Sequence, residues 1–296
     1  MQKTRLFQIT PVPEIKKKML DNISIVLMEP KYPENIGAAA RCAMNMGISR
    51  LIVVCTEAPD QEKMLKMATH KAASLIKGLK RFRNLDEALG PFSHVVGTTA
   101  RQGRKRRIEN SPRFMLDTIL PLLENNQVAL LFGPENRGLT NDDLKYCQTT
   151  VTIPTADFSS LNLAQAVAIL CYELYWGVMY FGKDLHSAPK LATSHELEGM
   201  YEHVEKMLNR IGFLRTDDSS YWIRNIRHFL GRVGLRAKEA RIIRGFCRQF
   251  LWYEEQLKKS GPDTLRNENF RISLDAELNE EGKEDSVQRV FHKRSK

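Results

Sequence analysis

Short apolar runs alternate with amphipathic segments through the first half of the chain. Five runs of five or six residues contain no Lys, Arg, Asp or Glu, as is typical of strands buried on both faces of a sheet: 23–28, 51–55, 94–98, 128–132 and 150–154. Helical periodicity between them predicts helices over 35–46, 62–77, 112–124 and 141–146. This alternation predicts an α/β domain with a largely parallel sheet.

The hydrophobic pattern changes beyond residue 160. Residues 161–181 are apolar nearly all round, which is typical of a helix packed against a sheet. Gly, Ser and Pro interrupt the next stretch, and helical periodicity then resumes. We therefore expect an N-terminal arm over 1–21, an α/β domain over 22–182, a linker over 183–196, a small helical domain over 197–260, and a polar tail over 261–296 that is disordered or partly ordered.

The charge balance favours a polyanionic partner. The 296 residues include 45 Lys and Arg against 35 Asp and Glu, a formal net charge of +10. Residues 221–259 alone hold ten Lys or Arg against three Glu, so the helical domain is expected to be basic. Such an excess is typical of proteins that bind nucleic acid or an anionic membrane surface, and it also serves solubility.

Cysteine usage and the lengths of apolar segments indicate the compartment. The five cysteines are odd in number and widely spaced, which suits reduced thiols and favours neither a disulfide framework nor a zinc site. The N-terminal segment has charges and prolines where a signal peptide needs an apolar core, and no apolar run is long enough to span a bilayer. We expect a cytoplasmic protein that binds neither a metal nor a membrane.

The first candidate for chemistry follows the strand at 23–28, because open α/β sheets place ligands where strands end. Asn35 stands near the predicted helix start, and Gly37 with three alanines leaves the first turns almost free of side chains. Arg41 then projects from a helix otherwise lined with small and apolar groups. The alternative is a plain surface helix with a solvated arginine, since alanine is the strongest helix former.

The second candidate follows the strand at 94–98. Small residues at its end, Thr98 and Thr99, lead into five basic residues in seven positions: Arg101, Arg104, Lys105, Arg106 and Arg107. A solvated charged loop is the usual explanation of such a run. Its position at a strand end favours a phosphate-binding loop, because arginine can bind phosphate bidentately.

The third candidate is a glycine loop after the strand at 128–132. Gly133 and Gly138 bracket four residues as in a P-loop, but Leu139 and Thr140 stand where a P-loop needs Lys and then Ser or Thr. A GxGxxG pattern is also missing from the sequence, so a nucleotide-dependent α/β enzyme lacks its signature.

Three polar residues crowd the start of the helix after the next strand. They are Ser159, Ser160 and Asn162. Capping of the helix would explain one such side chain. The three together, one strand after the glycine loop, indicate a binding site.

Three motifs in this order resemble the signature of a known family. They read PENIGAAARCAMNMG, LLFGPENRGLT and VTIPTADFSSLNLAQAVAILCYEL. Together they are similar to the motifs of the SPOUT superfamily of RNA methyltransferases, in its TrmH-like 2'-O-ribose branch, over residues 23–181. The basic helical stretch beyond 197 resembles the C-terminal extension of the TrmJ family, tRNA methyltransferases that act on the cytidine or uridine opening the anticodon loop.

The resemblance implies a fold, a cofactor and a catalytic residue. SPOUT enzymes carry a deep trefoil knot at the C-terminal side of the α/β domain and bind S-adenosylmethionine in the knotted loops. Arg41, with Asn35 nearby, would be the catalytic arginine, and Glu135 is expected to order its loop or a neighbouring contact. Matched by motif, the cofactor would be bound by Thr98, Thr99, Ala100, Gly133, Glu135, Gly138, Ile153, Ser160, Leu161 and Asn162.

The resemblance also implies an RNA substrate and a homodimer. A guanidinium stays protonated, so we expect Arg41 to bind an RNA phosphate and stabilise the developing 2'-oxyanion rather than act as a base. The alternatives are a TrmH-like enzyme acting on rRNA or another tRNA site, and a noncatalytic RNA-binding relative. The expected RNA contacts are Arg101, Arg104, Lys105, Arg106, Arg107, Arg227 and Arg232.

Overall fold

The structure of the protein is a computed structural model that describes residues 12–100, 111–181, 187–214 and 219–260. The chain divides into two compact units, Met1–Cys247 and Arg248–Lys296. Every contact described below lies within the first unit. The predicted polar tail over 261–296 lies outside the described residues.

One sheet of six parallel strands organises the first unit. Its order is β3-β2-β1-β5-β4-β6, and each recorded strand pairing is parallel. The prediction of an α/β fold with a largely parallel sheet is therefore confirmed. The strands are β1 (Ile23–Met28), β2 (Leu51–Val54), β3 (Lys80–Phe82), β4 (His94–Thr98), β5 (Val128–Phe132) and β6 (Thr149–Val151).

Helices connect the strands and continue beyond the sheet. In the described parts of the chain, a short helix precedes β1, six helices lie between or after the strands, and three follow at the C-terminal side. They are α1 (Glu14–Asp21), α2 (Pro33–Asn45), α3 (Gln61–Lys77), α4 (Leu85–Leu89), α5 (Pro112–Ile119), α6 (Asn141–Leu144), α7 (Leu163–Phe181), α8 (Ser194–Arg210), α9 (Ser219–Val233) and α10 (Ala237–Ser260).

Both faces of the sheet are covered, which is why its strands are continuous apolar runs. Ile25 and Leu27 of β1 belong to the larger core, together with buried side chains of α2, α3, α5 and α7. Val26 belongs to a second core with residues of α4 and with Leu139, and Leu144 of α6 packs against it. Side chains alternate along a strand, so neighbouring residues of β1 stabilise opposite layers.

The hydrophobic pattern missed β3 and α4, and it misplaced the ends of several other elements. The helix predicted over 141–146 ends at Leu144, and the strand predicted over 150–154 is Thr149–Val151. β3 pairs with β2 at the sheet edge, but two of its three residues are exposed and it carries Lys80 and Arg81, so it has no apolar run. The five-residue α4 is too short for helical periodicity. The predicted helix over 112–124 ends at Ile119 and continues as a 3-10 turn, Leu120–Leu122, around Pro121.

The segment assigned to an N-terminal arm contains α1. Met19 and Leu20 of this helix are buried in the larger core, and the Lys16 ammonium donates a hydrogen bond to the carbonyl of Met179 in α7. The apolar pair and the buried Lys16 together fix the helix to the body. The described part of this segment is therefore packed, whereas the sequence predicts a loosely attached arm.

Helices α8, α9 and α10 enclose a small core of their own. It contains Met200, Tyr201 and Val204 of α8 and the buried Ala240 of α10. The segment before α8 is tied to the α/β body by Asn126, whose amide nitrogen donates to the Pro189 carbonyl at 2.9 Å and whose amide oxygen accepts from the Leu191 amide at 2.7 Å. Pro189 and Leu191 of the predicted linker are thus hydrogen-bonded to the α/β domain.

Helix α7 is the most apolar helix of the sheet region. Among the described residues, its stretch Leu163–Tyr180 is long and apolar enough to cross a membrane by length and composition alone, with 44% of it buried inside the fold. The expectation that no apolar run has this length is therefore wrong. The core helix of a soluble protein passes the same test. In this structure Leu170, Leu174 and Val178 of α7 are buried in the larger core.

His94 is a buried titratable group at the start of β4. Its Nε2 lies 2.9 Å from Oγ1 of Thr149, within hydrogen-bond distance. Burial lowers the pKa of His94 from 6.5 to about 4, because the charged imidazolium would lose its hydration. The folded chain therefore keeps this imidazole neutral at pH values where the unfolded chain takes up a proton.

We expect the replacement His94→Gln to reduce the loss of stability in acid. As the pH falls from 6.5 to about 4, the unfolded chain binds a proton and the folded chain does not, so the wild type loses stability across this window. Between pH 7 and 4.5 it should lose about 2 to 3 kcal/mol more than the variant. Urea unfolding of both proteins at the two pH values measures this difference. Parallel losses would contradict the assignment.

Candidate active site

A pocket of about 270 Å³ opens where β4, β5 and β6 end. Nine of the ten residues predicted to bind the cofactor line it: Thr98, Thr99, Ala100, Gly133, Glu135, Gly138, Ile153, Ser160 and Leu161. The tenth, Asn162, is the next residue of the chain and precedes α7. Three loops far apart in sequence meet here because β6, β4 and β5 are neighbours in the sheet.

The glycine loop after β5 folds back on itself so tightly that one position excludes any side chain. A Cβ at Gly133 would lie 2.4 Å from the carbonyl carbon of Gly138 and 2.4 Å from the amide nitrogen of Leu139. Gly138 has φ +66°, and its amide donates to the Pro134 carbonyl at 2.8 Å. The two glycines therefore have different roles, close backbone approach at Gly133 and a left-handed conformation at Gly138.

The end of β4 is held against the two neighbouring strands. Oγ1 of Thr98 donates to the carbonyl of Leu131 in β5 at 3.1 Å. The Thr99 amide donates to the carbonyl of Val151 in β6 at 3.0 Å. These bonds fix the backbone that lines the pocket just before the basic loop. Arg101, Arg104, Lys105, Arg106 and Arg107 of that loop lie outside the described residues.

Asn162 caps α7 and also reaches across to α2. Its amide oxygen accepts from the Ala164 amide at 2.9 Å, which satisfies an N–H group of the first turn. Its amide nitrogen donates to the side-chain oxygen of Asn35 at 3.0 Å. Asn162 thus joins the first and third motifs across 127 positions of the chain.

Glu135 of the glycine loop completes this connection. One carboxylate oxygen accepts from the Asn35 amide nitrogen at 2.7 Å, and the other accepts from the backbone amide of Lys31 at 2.8 Å. The carboxylate therefore fixes which way the Asn35 amide points, since its nitrogen faces Glu135 and its oxygen faces Asn162. Glu135, Asn35 and Asn162 form a hydrogen-bonded chain that links all three motifs.

An ion pair holds the glycine loop to the loop after β1. The guanidinium of Arg137 lies 2.5 Å from the carboxylate of Glu29 and 3.8 Å from that of Asp143. Glu29 has φ +43°, an uncommon backbone conformation for a residue with a side chain. Asp143 also forms a capping box with Thr140 at the start of α6, so the glycine loop is fixed at both ends.

Arg41 lies outside the lining of the pocket. It is an exposed residue of α2, six positions beyond Asn35, and within the described part of the chain it has no recorded hydrogen bond or ion pair. Its neighbour Cys42 lies 3.7 Å, Sγ to carbonyl oxygen, from Ala164 in the first turn of α7. This part of α2 therefore lies beside the start of α7, with the Arg41 guanidinium available at the surface.

Cys42 is unsuited to act as a nucleophile. Burial raises the pKa of its thiol above the ordinary value, and the nearby charge of Arg41 lowers it to a smaller extent. The thiol is therefore protonated at neutral pH, whereas a nucleophilic cysteine must be a thiolate.

The two predicted RNA contacts in the helical region have different environments. Arg227 forms an ion pair with Glu198 of α8, and its guanidinium lies 4.4 Å from the ring centroid of Tyr201. Arg232, near the end of α9, is exposed. The Arg227 guanidinium therefore makes its contacts within the fold, whereas the Arg232 side chain is exposed at the surface, where a ligand can contact it.

The two charged side chains in the described lining of the pocket, Glu135 and Arg137, already have partners within the protein. Among the described residues, Arg137 is the only lysine or arginine that lines it, and Glu29 and Asp143 hold its guanidinium. The Glu135 carboxylate likewise accepts two hydrogen bonds from the protein. The described wall therefore offers backbone groups, hydroxyls and apolar side chains, without the free cations that a phosphate-bearing cofactor needs.

Comparison with known proteins identifies the family. The model of the SpoU rRNA Methylase family matches residues 22–172, about half of the chain, and that of the tRNA methyltransferase TrmJ C-terminal domain matches residues 195–261. The chain belongs to the SpoU methylase family. The predicted SPOUT assignment is thereby confirmed.

Several individual relatives of this SpoU methylase carry the same name, TrmJ. A tRNA (cytidine/uridine/adenosine-2'-O-)-methyltransferase TrmJ of Pseudomonas aeruginosa is 37% identical over 77% of this chain and 93% of its own length. A tRNA (cytidine/uridine-2'-O-)-methyltransferase TrmJ of Pectobacterium atrosepticum is 34% identical over 77% of this chain and 95% of its own length. The crystal structure of TrmJ from Z. mobilis, 31% identical, superposes with a TM-score of 0.65 over 77% of this chain and 98% of that one.

Sequence reasoning missed the ion pair that supports the SpoU methylase pocket. Arg137 is visible in the sequence of the glycine loop. The hydrophobic and motif patterns of the sequence do not pair it with Glu29, which lies 108 positions earlier. The signal that could indicate this ion pair is the opposite charge of the two residues, since Glu29 follows β1, Arg137 follows β5, and these strands are neighbours in the sheet. Pro134, Asn136, Leu163 and Ala166 also line the pocket without having been predicted.

We expect Gly133→Ala to destabilise this SpoU methylase more than Gly138→Ala. The first methyl group would overlap backbone atoms and force the loop open, at a cost of about 3 kcal/mol. The second would meet no atom within 4 Å and would only strain a left-handed residue, at about 1 kcal/mol. Urea unfolding of the two variants tests the difference. Equal losses would show that the close backbone approach is unimportant.

Proposed function

We propose that the protein is an S-adenosylmethionine-dependent tRNA 2'-O-ribose methyltransferase, acting on the cytidine or uridine that opens the anticodon loop. The observation that carries this proposal is the hydrogen-bonded chain of Asn35, Glu135 and Asn162, which unites the three SpoU motifs beside one pocket. Relatives that are 34–37% identical over most of their length are named tRNA 2'-O-methyltransferases, which supports the substrate class.

The pocket suits S-adenosylmethionine better than a nucleotide cofactor. SpoU methylases use S-adenosylmethionine, which carries a sulfonium cation and no phosphate. Arg137, the one basic side chain among the described residues of the lining, is paired with carboxylates, so the described wall presents no free cation to the ligand. Ile153 and Leu161 offer apolar contact to an adenine ring, and the glycine loop exposes backbone groups.

The residues of the chain position and activate the RNA. When bound, S-adenosylmethionine supplies an electrophilic methyl group to the ribose 2'-oxygen. Glu135 and Asn162 hold the Asn35 amide in one orientation, so that its position relative to the ribose is fixed. Arg41, exposed on the same helix, binds the adjacent RNA phosphate and stabilises the 2'-oxyanion as its proton passes to a phosphate oxygen or water.

We extend the proposal to the trefoil knot. The loops after β4, β5 and β6 all contribute to one pocket, and the last of them leads directly into α7. This convergence is what a knot around the cofactor site requires. Membership in the SpoU family supports it further.

We also propose a homodimer that forms through an aromatic stripe on α7. Tyr172, Trp176 and Tyr180 recur every four residues, are 40–58% exposed, and stack on one another. Contiguous exposed apolar surface of this kind marks interaction sites on soluble proteins. A second copy of the chain, as implied by the family, would cover it.

Substrate mapping tests the function. We expect incubation with methyl-labelled S-adenosylmethionine and total tRNA to yield labelled 2'-O-methylcytidine and 2'-O-methyluridine after digestion to nucleosides. Ribosomal RNA serves as the competing substrate. Label found in rRNA alone would favour the alternative TrmH-like activity, and label on a base would exclude 2'-O transfer. Absence of label from both RNAs would indicate a noncatalytic relative.

The same assay tests Arg41. Arg41→Lys keeps the positive charge but loses the planar pair of donors that fits a phosphate, so methyl transfer should fall about 10²-fold. Binding of S-adenosylmethionine, measured by calorimetry, should stay unchanged because Arg41 does not line the pocket. Transfer at the wild-type rate would exclude a role for bidentate recognition.

Sedimentation velocity tests the dimer. We expect the wild-type protein to sediment at twice the mass of one chain and Trp176→Lys to sediment as a monomer, because the charge would lie in the buried interface. Ile242→Lys, which changes an exposed apolar residue of α10, is the matched control and should remain dimeric. A dimeric Trp176→Lys variant would place the interface elsewhere.

A further inference from the structure

A second cavity lies at the opposite edge of the sheet from the candidate cofactor pocket. Its volume is about 490 Å³, and it is lined by the amino-terminal ends of β1, β2 and β3, by the end of α3, by the segment from α4 to Phe92, and by the residue before β5. The described linings of the two cavities share no residue. β1 has six residues, so about 17 Å of strand separates the two edges, and the cavity is not part of the site of methyl transfer.

The inner wall of this cavity contains a buried hydroxyl group without a partner. Ser24 of β1 is fully buried, and its Oγ has no hydrogen-bond partner among the described residues. Alternation along β1 places Ser24 on the same face of the sheet as Val26, and Ile52 and Ala88 of the cavity lining pack on that face. An unpaired buried hydroxyl is costly, because it has lost its hydrogen bonds to water without gaining others. A ligand that supplies the missing hydrogen bond would therefore gain free energy at this point.

A second hydrogen-bonding group lies on the same face as Ser24. Gln127 immediately precedes β5, whose Ala129 pairs with Ser24, so alternation along β5 places Gln127 on the face that Ser24 occupies. Its backbone carbonyl accepts from the Ser93 amide at 3.0 Å, which fixes the main chain at this position. Within the described parts of the chain, its half-buried side-chain amide has no recorded hydrogen bond. The inner wall thus offers one hydroxyl and one amide to a ligand.

Two cations lie at the mouth of the cavity. The carbonyl of Arg50 accepts from the Ile25 amide at 3.0 Å, so the parallel register of β1 and β2 continues to Arg50 and sets it beside Ser24. Lys80 begins β3 and pairs with Ile52, two positions after Arg50, so both cations lie on one face of the sheet. Both are exposed, and among the described residues neither side chain has a recorded ion pair or hydrogen bond, nor does the lining contain Asp or Glu. An anionic group at the mouth would therefore meet two unpaired cations.

Apolar side chains form the walls between these polar ends. Phe92 is buried and Phe82 is half-buried, and both line the cavity. Apolar walls with a few placed polar groups are typical of small-molecule sites, whose volumes run from about 300 to 1,000 Å³. Neighbouring strands lie about 4.8 Å apart, so Ser24 is one strand spacing from Arg50 and two from Lys80. A ligand that contacts all three has polar ends about 5 to 10 Å apart.

We propose that this cavity binds a small aromatic acid, with its carboxylate or phosphate between Arg50 and Lys80 and a polar atom of its other end on Ser24. The guanidinium and ammonium groups select an anion, because charge-assisted hydrogen bonds are the strong ones. Phe82 and Phe92 favour a flat apolar body, and the unpaired hydroxyl favours a hydrogen-bonding group at the far end. The inference goes beyond the proposed function and does not depend on it, since it holds whichever RNA the protein modifies.

Ligand-detected NMR titration of the full chain tests the cavity with two aromatic acids, 4-hydroxyphenylacetate and 4-hydroxyphenyl phosphate. Saturating S-adenosylmethionine is present throughout, so that the cofactor pocket is filled. We expect at least one acid to bind with a Kd of about 1 mM or lower, and the tighter one identifies the acidic group. Its analogue without the hydroxyl should bind about five- to tenfold more weakly, and the uncharged 2-(4-hydroxyphenyl)ethanol about tenfold or more. Failure of both acids to bind at up to about 10 mM would overturn the proposal.

Matched charge variants locate the anion. Arg50→Gln and Lys80→Gln should each weaken binding of the tighter acid about tenfold, because each removes one charge-assisted hydrogen bond. Arg83→Gln and Lys77→Gln are the controls, since these exposed cations lie nearby in the chain but outside the cavity lining. Their effect should stay below about twofold. Equal losses in the lining and control variants would reduce the effect to unspecific charge attraction and reject the site.

The variant Ser24→Ala separates ligand binding from a role in the fold. In the free protein it removes an unpaired hydroxyl, so urea unfolding should show no loss of stability. Binding of the tighter acid should weaken about five- to tenfold, while its analogue without the hydroxyl should bind as it does to the wild type. Equal losses for the two ligands, or a destabilised free protein, would show that the hydroxyl serves the fold instead. Methyl transfer enters none of these measurements, so a failure of the proposed function would leave them unaffected.

Discussion

The carboxylate of Glu135 joins parts of the chain that the sequence keeps about a hundred residues apart. It accepts hydrogen bonds from the backbone at Lys31 and from Asn35, while Asn35 accepts one from Asn162 at the start of α7. This chain forms because β1, β5, β4 and β6 are consecutive in the sheet, which brings the loops after β1, β5 and β6 to one edge. Removing the carboxylate would leave the Asn35 amide held only by the hydrogen bond from Asn162, and the backbone amide of Lys31 would lose its acceptor.

The parallel sheet was predictable because its physical cause is local. Strands covered on both faces must be apolar along their whole length, so β1, β4 and β5 are visible as runs with the observed bounds. β3 was not predictable, since an exposed edge strand of three residues needs no apolar run. The N-terminal helix was missed for a related reason, because only Met19 and Leu20 distinguish it from a charged arm.

The residues that line the candidate site could be predicted from the sequence, but the contacts between them could not. Motif resemblance gave the residues that line the pocket, because each motif is contiguous in sequence. The ion pair of Arg137 with Glu29 and the two roles of the Asn35 amide could not be read from the chain, since both depend on which strands are neighbours. Arg227 illustrates the same limit. Its basic surroundings in sequence indicated an RNA contact, but the fold places Glu198 and Tyr201 against it.

Strand β6 is only three residues long and is hydrogen-bonded to a single neighbour, β4. A strand with one hydrogen-bonded neighbour has fewer backbone bonds to lose than the central strands. Val151 of β6 lines the candidate cofactor pocket, while Thr149 and Thr150 line a separate cleft of about 580 Å³ between α6 and the helices α8 and α9. Any displacement that a ligand on one side favours changes the free energy of binding on the other, and thermodynamic linkage requires the effect to be reciprocal. Because this strand contributes to both linings, the shape of the pocket and the shape of the cleft are not independent of one another.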